Sequence, residues 1–333
     1  GSRTINETHE DFAIPRETLA VAGTFEAMAR PRLPSAALHR HADKTPKISC
    51  CGVAFEDCEA DDFPSCRSWD RTRTPDASPE EIIGGRFEIL RSIGRGGAAT
   101  MHQGKCLRTG QLVAIKSIPQ ESREDRKAAL GEAAFLRSLD HEGVNRLVTV
   151  VEDEFCIHLI LEYAKGTDLM ETLLLTGPME EEQAAGIIRQ IVEVLAYCHS
   201  HGVVHRDVKP ENIMISGEKP EITLVDFGLA MDAGKEVEEG EDEGTPVYLA
   251  PEVRNKPLIC DGALDMFSLG VVLFAMLSGQ LPARQATPEL AKLVLPEISA
   301  GAGDFLARLL VEPELRLSAA EALEHPWLNA GAH

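Results

Sequence analysis

His205-Arg206-Asp207-Val208-Lys209-Pro210-Glu211-Asn212, with Asp226-Phe227-Gly228 a short way downstream, is the stretch that decides how this chain reads. The apolar run Ile222 to Val225 lies just ahead of the second motif and has the texture of a buried strand, so Asp226 stands at a strand end. Asp226 and Asn212 offer hard oxygen donors of the kind magnesium takes. Asp207 is a carboxylate able to orient a hydroxyl, and Lys209 is a cation beside it. Metal ligands, a cation and an orienting carboxylate in one place are what phosphoryl transfer from a nucleoside triphosphate needs. A loop with one aspartate and one asparagine is commonplace. This ordered set is not.

Upstream, the run from Arg86 to Ile93 reads as a strand entering Gly94-Arg95-Gly96-Gly97, where missing Cβ atoms let backbone N–H groups approach a phosphate. By itself that run is equally a plain tight turn. Val113-Ala114-Ile115-Lys116 puts a lysine inside a second apolar strand, Leu112 to Ile118. A lysine there needs an anion, unless its ammonium reaches out past the sheet edge. Glu132 supplies the anion on the next periodic segment, Glu124 to Leu139, which predicts a helix. Ile157 to Glu162 is again strand-like. Beyond it the period changes: Ala184, Ile187, Ile188, Ile191, Leu195 and Cys198 trace one face of a long helix. The fold class expected is α+β, a small sheet-rich lobe followed by a larger helical one.

Composition narrows the function classes. Hydrophobic residues form 44% of the 333, enough for a sizeable core. A formal charge of -21 excludes a nucleic-acid binder and an anionic-membrane binder, while permitting attraction to basic protein substrates. Eight cysteines without a CxxC pair read as reduced thiols; Cys50, Cys51, Cys58 and Cys66 could bind metal or form bridges, but their irregular spacing favours free thiols. The densest apolar stretch, Met266 to Leu277, is shorter than the roughly 20 residues of a membrane span and predicts a buried core helix. An intracellular, cytoplasmic protein is expected, with a plastid form after transit-peptide removal as the alternative. With no Met at its start, Gly1-Ser2 reads as a tag remnant, a processed end or a piece of a longer chain.

Taken together, these motifs give residues from about Arg86 to Leu328 a specific resemblance to the eukaryotic protein kinases, serine/threonine type, most similar to the calcium/calmodulin-dependent kinase group. Further marks follow in order: Gly244-Thr245-Pro246, Ala250-Pro251-Glu252, Asp265 at the head of the buried helix, Arg316 where the family's arginine pairs with that Glu252, and His325-Pro326-Trp327. The resemblance implies a bilobal kinase fold in a domain spanning 84–330, with an N-lobe over about 86–162 holding one key helix and a helical C-lobe over about 166–329. It implies ATP and Mg2+ as cofactors. Lys116 would contact the phosphates and pair with Glu132, and Asp207 and Lys209 would serve the transfer. Asn212 and Asp226 would hold metal, and Gly94, Gly96 and Gly97 would cover the phosphates. Met101, Ala114 and Met214 would sandwich the adenine, Glu162 to Ala164 would form the hinge behind Leu161, and Asp168 would hold the ribose. His205, Phe227 and Leu136 would stack into a column aligning the lobes. Lys209 with Thr245 marks serine/threonine specificity, and Asp168 with Glu211 resembles an acidic pair preferring an arginine upstream of the target.

The sequence also departs from the family. The loop tip reads Gly97-Ala98-Ala99, Met101 stands where valine is usual, and Phe267 where tryptophan is usual. Between Phe227 and Gly244 there is no Ser, Thr or Tyr, but an acidic run that includes Glu238, Glu239, Glu241, Asp242 and Glu243. Such a run is ordinarily a solvated loop. Alternatively Glu241 stands in for the phosphate that Arg206 would grip, giving a kinase independent of activation-loop phosphorylation. The stretch Leu281 to Ala300 is short and carries Ala283 where an aromatic is usual, and no calmodulin-binding helix follows Trp327, so calcium control is not expected. Residues 1–83, rich in Pro, Arg, Asp and Glu, have low intrinsic order by composition. They are expected to be a docking or regulatory segment ordered by a protein partner. The competing function class is a kinase-fold scaffold subunit attached through that segment. A small-molecule kinase is disfavoured by the Gly-Thr-Pro and Ala-Pro-Glu segment.

Overall fold

Alternation along one strand gives the first sheet two unlike faces: Val113, Ile115 and Ser117 point one way, and Ala114, Lys116 and Ile118 the other. The computed structural model describes residues 81–95, 99–237, 244–255, 257–282 and 285–329. The expectations placed on residues 1–80, Gly96, Gly97, Ala98, Glu238–Glu243 and Ala283 lie outside the described residues.

The sheet lobe contains β1 (Ile82–Ile83), β2 (Phe87–Arg95), β3 (Thr100–Cys106), β4 (Leu112–Pro119), β5 (Leu147–Glu152) and β6 (Cys156–Glu162), with α1 (Arg123–Ser138) between β4 and β5. All pair antiparallel in the order β1-β2-β3-β4-β6-β5. On one face Ile83, Phe87, Cys106, Val113, Ile115 and Ile160 close a small core. On the other, Ala114, Leu159 and Leu161 join α1 and the core of the second lobe. A capping box starts α1: Ser122 Oγ accepts from Asp125 N–H at 3.0 Å, and Asp125 accepts from Ser122 N–H at 2.9 Å. Its buried face is Ala129, Glu132, Ala133 and Leu136.

The folded part begins slightly before the expected boundary at 84. Gly84 and Gly85, read as a break in texture, are the turn of the β1–β2 hairpin. Both have positive φ (57° and 64°), and Arg86 N–H bonds to Ile83 O at 3.1 Å, which is a type I′ turn that glycine adopts at no steric cost.

The second lobe runs β7 (Thr167–Asp168), α2 (Leu169–Thr176), α3 (Glu181–Ser200), β8 (Val203–Val204), β9 (Ile213–Ser216), β10 (Glu221–Leu224), β11 (Met231–Asp232), β12 (Glu236–Val237) and β13 (Leu258–Ile259). It ends with α4 (Ala263–Ser278), α5 (Pro288–Val294), α6 (Ala300–Leu309), α7 (Ala319–Leu323) and α8 (Pro326–Asn329). Helix α4 is buried on every side from Leu264 to Met276, as expected of an apolar helix at the centre of a lobe. Among the described residues no helix is long and apolar enough to cross a membrane.

Candidate active site

Strand register builds one wall of the site. Gly94 lies opposite Met101, Met101 opposite Lys116, and Lys116 opposite Leu159, so these four form a row across β2, β3, β4 and β6. Two residues back along β4, on the same face as Lys116, Ala114 lies opposite Leu161, and in the next row Val113 lies opposite Glu162. Glu162 N–H donates to Arg146 O at 2.9 Å and is followed by half-buried Ala164, where the chain passes to the second lobe. Asp168 and Met214 come together because β7 pairs with β9. Asp168 Oδ1 accepts from Glu171 N–H at 2.7 Å and caps α2, leaving Oδ2 as its other acceptor.

The lysine within the strand has its anions. Lys116 Nζ donates to both oxygens of Glu132 at 2.8 Å and to Asp226 Oδ1 at 2.6 Å. Burial would push the ammonium down, but Glu132 and Asp226 outweigh it and hold it above the ordinary lysine value. Burial likewise opposes charge on Asp226, and Lys116 prevails, keeping that carboxyl low. For Glu132 burial is the larger influence and raises the carboxyl against the pull of Lys116. Two bonds to one cation are nonetheless the geometry of a carboxylate, so the pair is ionised. Gly228 leaves room here: a Cβ on it would stand 3.1 Å from Lys116 Nζ and 3.2 Å from Asp226 Oδ1, close enough to make those side chains shift by a few tenths of an ångström.

The other wall is the loop between β8 and β9. Asp207 Oδ2 accepts from Lys209 Nζ at 2.5 Å and from Asn212 Nδ2 at 2.9 Å; Thr245 Oγ1 lies 3.0 Å from Lys209 Nζ and 3.4 Å from Asp207 Oδ1. Asn212 Nδ2 also donates to Asp207 O at 2.8 Å, which turns Oδ1 into the atom available to a cation. The β9–β10 hairpin sets Asn212 beside Asp226, since Leu224 pairs with Ile213 and Val225 N–H donates to Asn212 O at 2.9 Å.

This loop hangs on one buried carboxylate. Asp265 accepts from His205 N–H at 2.8 Å, Arg206 N–H at 2.7 Å and His199 Nε2 at 2.8 Å. Those bonds hold Arg206 at φ 66°, a left-handed conformation unusual outside glycine; Asp226 is similar at 64°. His205 Nδ1 accepts from Asp207 N–H at 3.2 Å, so its proton is on Nε2 and donates to Val225 O at 3.2 Å. The His205 ring meets Phe227 edge-on at 4.7 Å, and Phe227 belongs to the same core as Leu136. At the far end Arg316 bonds both oxygens of Glu252 and the carbonyls of Ala263 and Val311, under the ring of Phe267.

Of the sequence-derived site residues, Lys116, Glu132 and Asp226 come together, as do Asp207, Lys209 and Asn212, and Asp168 adjoins Met214. Sequence reasoning missed His199, whose partnership with Asp265 spans distant positions, and Tyr248. Both the Tyr248 hydroxyl and Glu211 Oε2 are buried with no hydrogen-bond partner among the described residues.

The family described as "Protein kinase domain" matches residues 87–328. A probable myosin light chain kinase of Dictyostelium discoideum is 36% identical over 73% of this chain and 66% of its own length. Calcium-dependent protein kinase 3 of Oryza sativa subsp. japonica is 34% identical over 75% and 49%, and human serine/threonine-protein kinase H2 34% over 73% and 67%. The chain thus spans between about half and two thirds of the length of these relatives.

Proposed function

Because the chain belongs to the protein kinase family, we propose that it transfers the γ-phosphate of ATP to serine or threonine side chains of protein substrates. The observation that carries this reading is the pairing of Lys116 with Glu132 and Asp226 opposite the Asp207, Lys209 and Asn212 cluster. Asp226 and Asn212 present hard oxygens side by side, a donor set that fits magnesium. When bound, magnesium neutralises charge on the phosphates. Lys116, held as a cation by its two carboxylates, orients the α- and β-phosphates, and the row from Gly94 to Lys116 covers them. Asp207 accepts the hydrogen bond of the incoming hydroxyl and takes its proton, while Lys209 stands by the transferred group. Purified protein with magnesium and radiolabelled ATP should label serine and threonine of a protein or peptide acceptor. No label on any acceptor would reduce the chain to a scaffold with a kinase fold.

Independence from activation-loop phosphorylation is part of the same proposal. Thr245, the first hydroxyl after Phe227, accepts from Lys209 at 3.0 Å and lies 3.4 Å from Asp207 Oδ1, which favours a place in the catalytic cluster over a phosphate site. In this reading Glu241, which lies outside the described residues, would supply the anion for Arg206. Bacterially expressed, phosphatase-treated protein should keep its full rate; a need for an upstream kinase would remove the idea.

Glu211 supports a preference for a basic residue in the substrate. Burial pushes its carboxyl up, and Asp168 and Asp207 add to this, so an arriving guanidinium would relieve both the crowded charge and the unpartnered oxygen. Glu211→Gln should lower kcat/KM about tenfold on peptides with an upstream arginine and leave arginine-free peptides unchanged. Equal wild-type rates on both peptide sets would refute it. The segment 1–83, of which Ile82 and Ile83 form β1, is in the same reading a docking or regulatory segment for a protein partner.

A further inference from the structure

The hairpin joining β5 to β6 gathers three unlike donors on the sheet face away from Lys116. Asp153, Cys156 and His158 each offer one ligand atom, and the three atoms lie within 4.8 Å of one another. From this geometry we infer that the hairpin is a binding site for a zinc-class divalent cation, held by the Asp153 carboxylate, the Cys156 thiolate and the His158 imidazole.

Local structure orients each donor before any ion arrives. Asp153 Oδ1 is fixed by the N–H groups of Phe155 and Cys156, both at 2.8 Å, which leaves Oδ2 pointing at His158 Nε2, 2.9 Å away. The hairpin backbone is closed by Asp153 N–H to Cys156 O at 3.0 Å, and fastened to the approach of α1 by Gln120, which donates to Asp153 O and Phe155 O. His158 is buried, and its Nδ1 lies 2.9 Å from Ser117 Oγ across the β4–β6 ladder. A metal-bound imidazole wants such a partner on its other nitrogen. The serine hydroxyl can turn from donor to acceptor, so the ring can carry its proton on Nδ1 and offer a bare Nε2. Asp153 is exposed, which gives an ion a way in.

The donor chemistry selects the ion. One sulfur, one nitrogen and one carboxylate oxygen suit zinc and disfavour magnesium or calcium, which prefer all-oxygen shells. Three protein ligands leave a fourth position to water. Binding releases one proton, from the Cys156 thiol, while the imidazole proton moves from Nε2 to Nδ1. The face matters as well. Ser117 and His158 share the side of Ile115 and Ile160, whereas Lys116 and Leu159 face the nucleotide side, so this site is separate from the phosphoryl-transfer machinery.

The test uses the full chain with Cys50→Ser, Cys51→Ser, Cys58→Ser and Cys66→Ser, so that thiols of the extension do not contribute. Cobalt(II) titration should produce thiolate-to-cobalt absorption that saturates at one equivalent and is displaced by zinc. Cys156→Ser should abolish the band. Asp153→Asn keeps an amide oxygen for the two turn N–H groups but offers no second oxygen to metal. It should weaken cobalt binding by about tenfold or more, with the metal-free chain still folded and melting cooperatively. A band that survives Cys156→Ser, a band removed instead by Cys106→Ser, or no band at stoichiometric cobalt would each overturn the assignment.

Discussion

Asp207→Asn should lower kcat by about 10²–10⁴-fold with little change in KM for ATP. The substitution is isosteric and the loop can keep its shape. An amide oxygen in the Oδ2 position still accepts from Lys209 and Asn212, and the new NH2 faces Thr245 Oγ1, a hydroxyl that can turn to accept. The variant cannot take a proton from an incoming hydroxyl. Lys116, Glu132 and Asp226, which hold the nucleotide end, do not touch Asp207, so nucleotide affinity should survive. Steady-state kinetics with a peptide acceptor, alongside a melting curve, would separate the cases. A folded variant retaining more than about a tenth of the wild-type kcat would remove Asp207 from its proton-accepting role.

Much of this site was legible because its chemistry is local. Asp207, Lys209 and Asn212 sit within one turn of chain, and a lysine inside an apolar strand demands an anion, which made Glu132 predictable. The strand Thr100–Cys106 was not legible, because Gln103, Gly104 and Lys105 blur its alternation, and it is held by ladder bonds on both sides. Gly84-Gly85 is ambiguous for a related reason: two glycines mark a domain edge and a tight turn equally well, and the turn becomes visible only through the pairing of Ile83 with Phe87. His199 and Tyr248 depend on helix packing that no spacing rule encodes. The Asp153, Cys156 and His158 group was not legible, since the expected strand began at Ile157 and left Cys156 outside it, whereas the structure starts the strand at Cys156 and sets Cys156 and His158 on one face. Bringing Asp153 onto that face took the hairpin.

The loop's geometry makes Asp265 the residue whose loss should cost the fold most. Asp265→Ala would leave His205 N–H, Arg206 N–H and His199 Nε2 buried without their acceptor, each loss worth about 1–3 kcal/mol. Against a total stability of about 5–15 kcal/mol this should lower the melting temperature sharply or prevent folding. Asp265→Asn is the informative variant, because it keeps the volume but aims an NH2 at one of the donors. It also changes the response to acid. Burial would push the Asp265 carboxyl up, but the bonds from His199 and the loop N–H groups outweigh it and hold it below the ordinary aspartate value. A depressed carboxyl contributes stability that is complete above the unfolded value of about 3.9 and is lost as pH falls through the folded one. The wild-type advantage over Asp265→Asn in urea midpoint should therefore be flat from about pH 7 to pH 5 and shrink below about pH 4. An advantage that is absent at neutral pH, or that grows on acidification, would mean the loop is held by something other than this carboxylate.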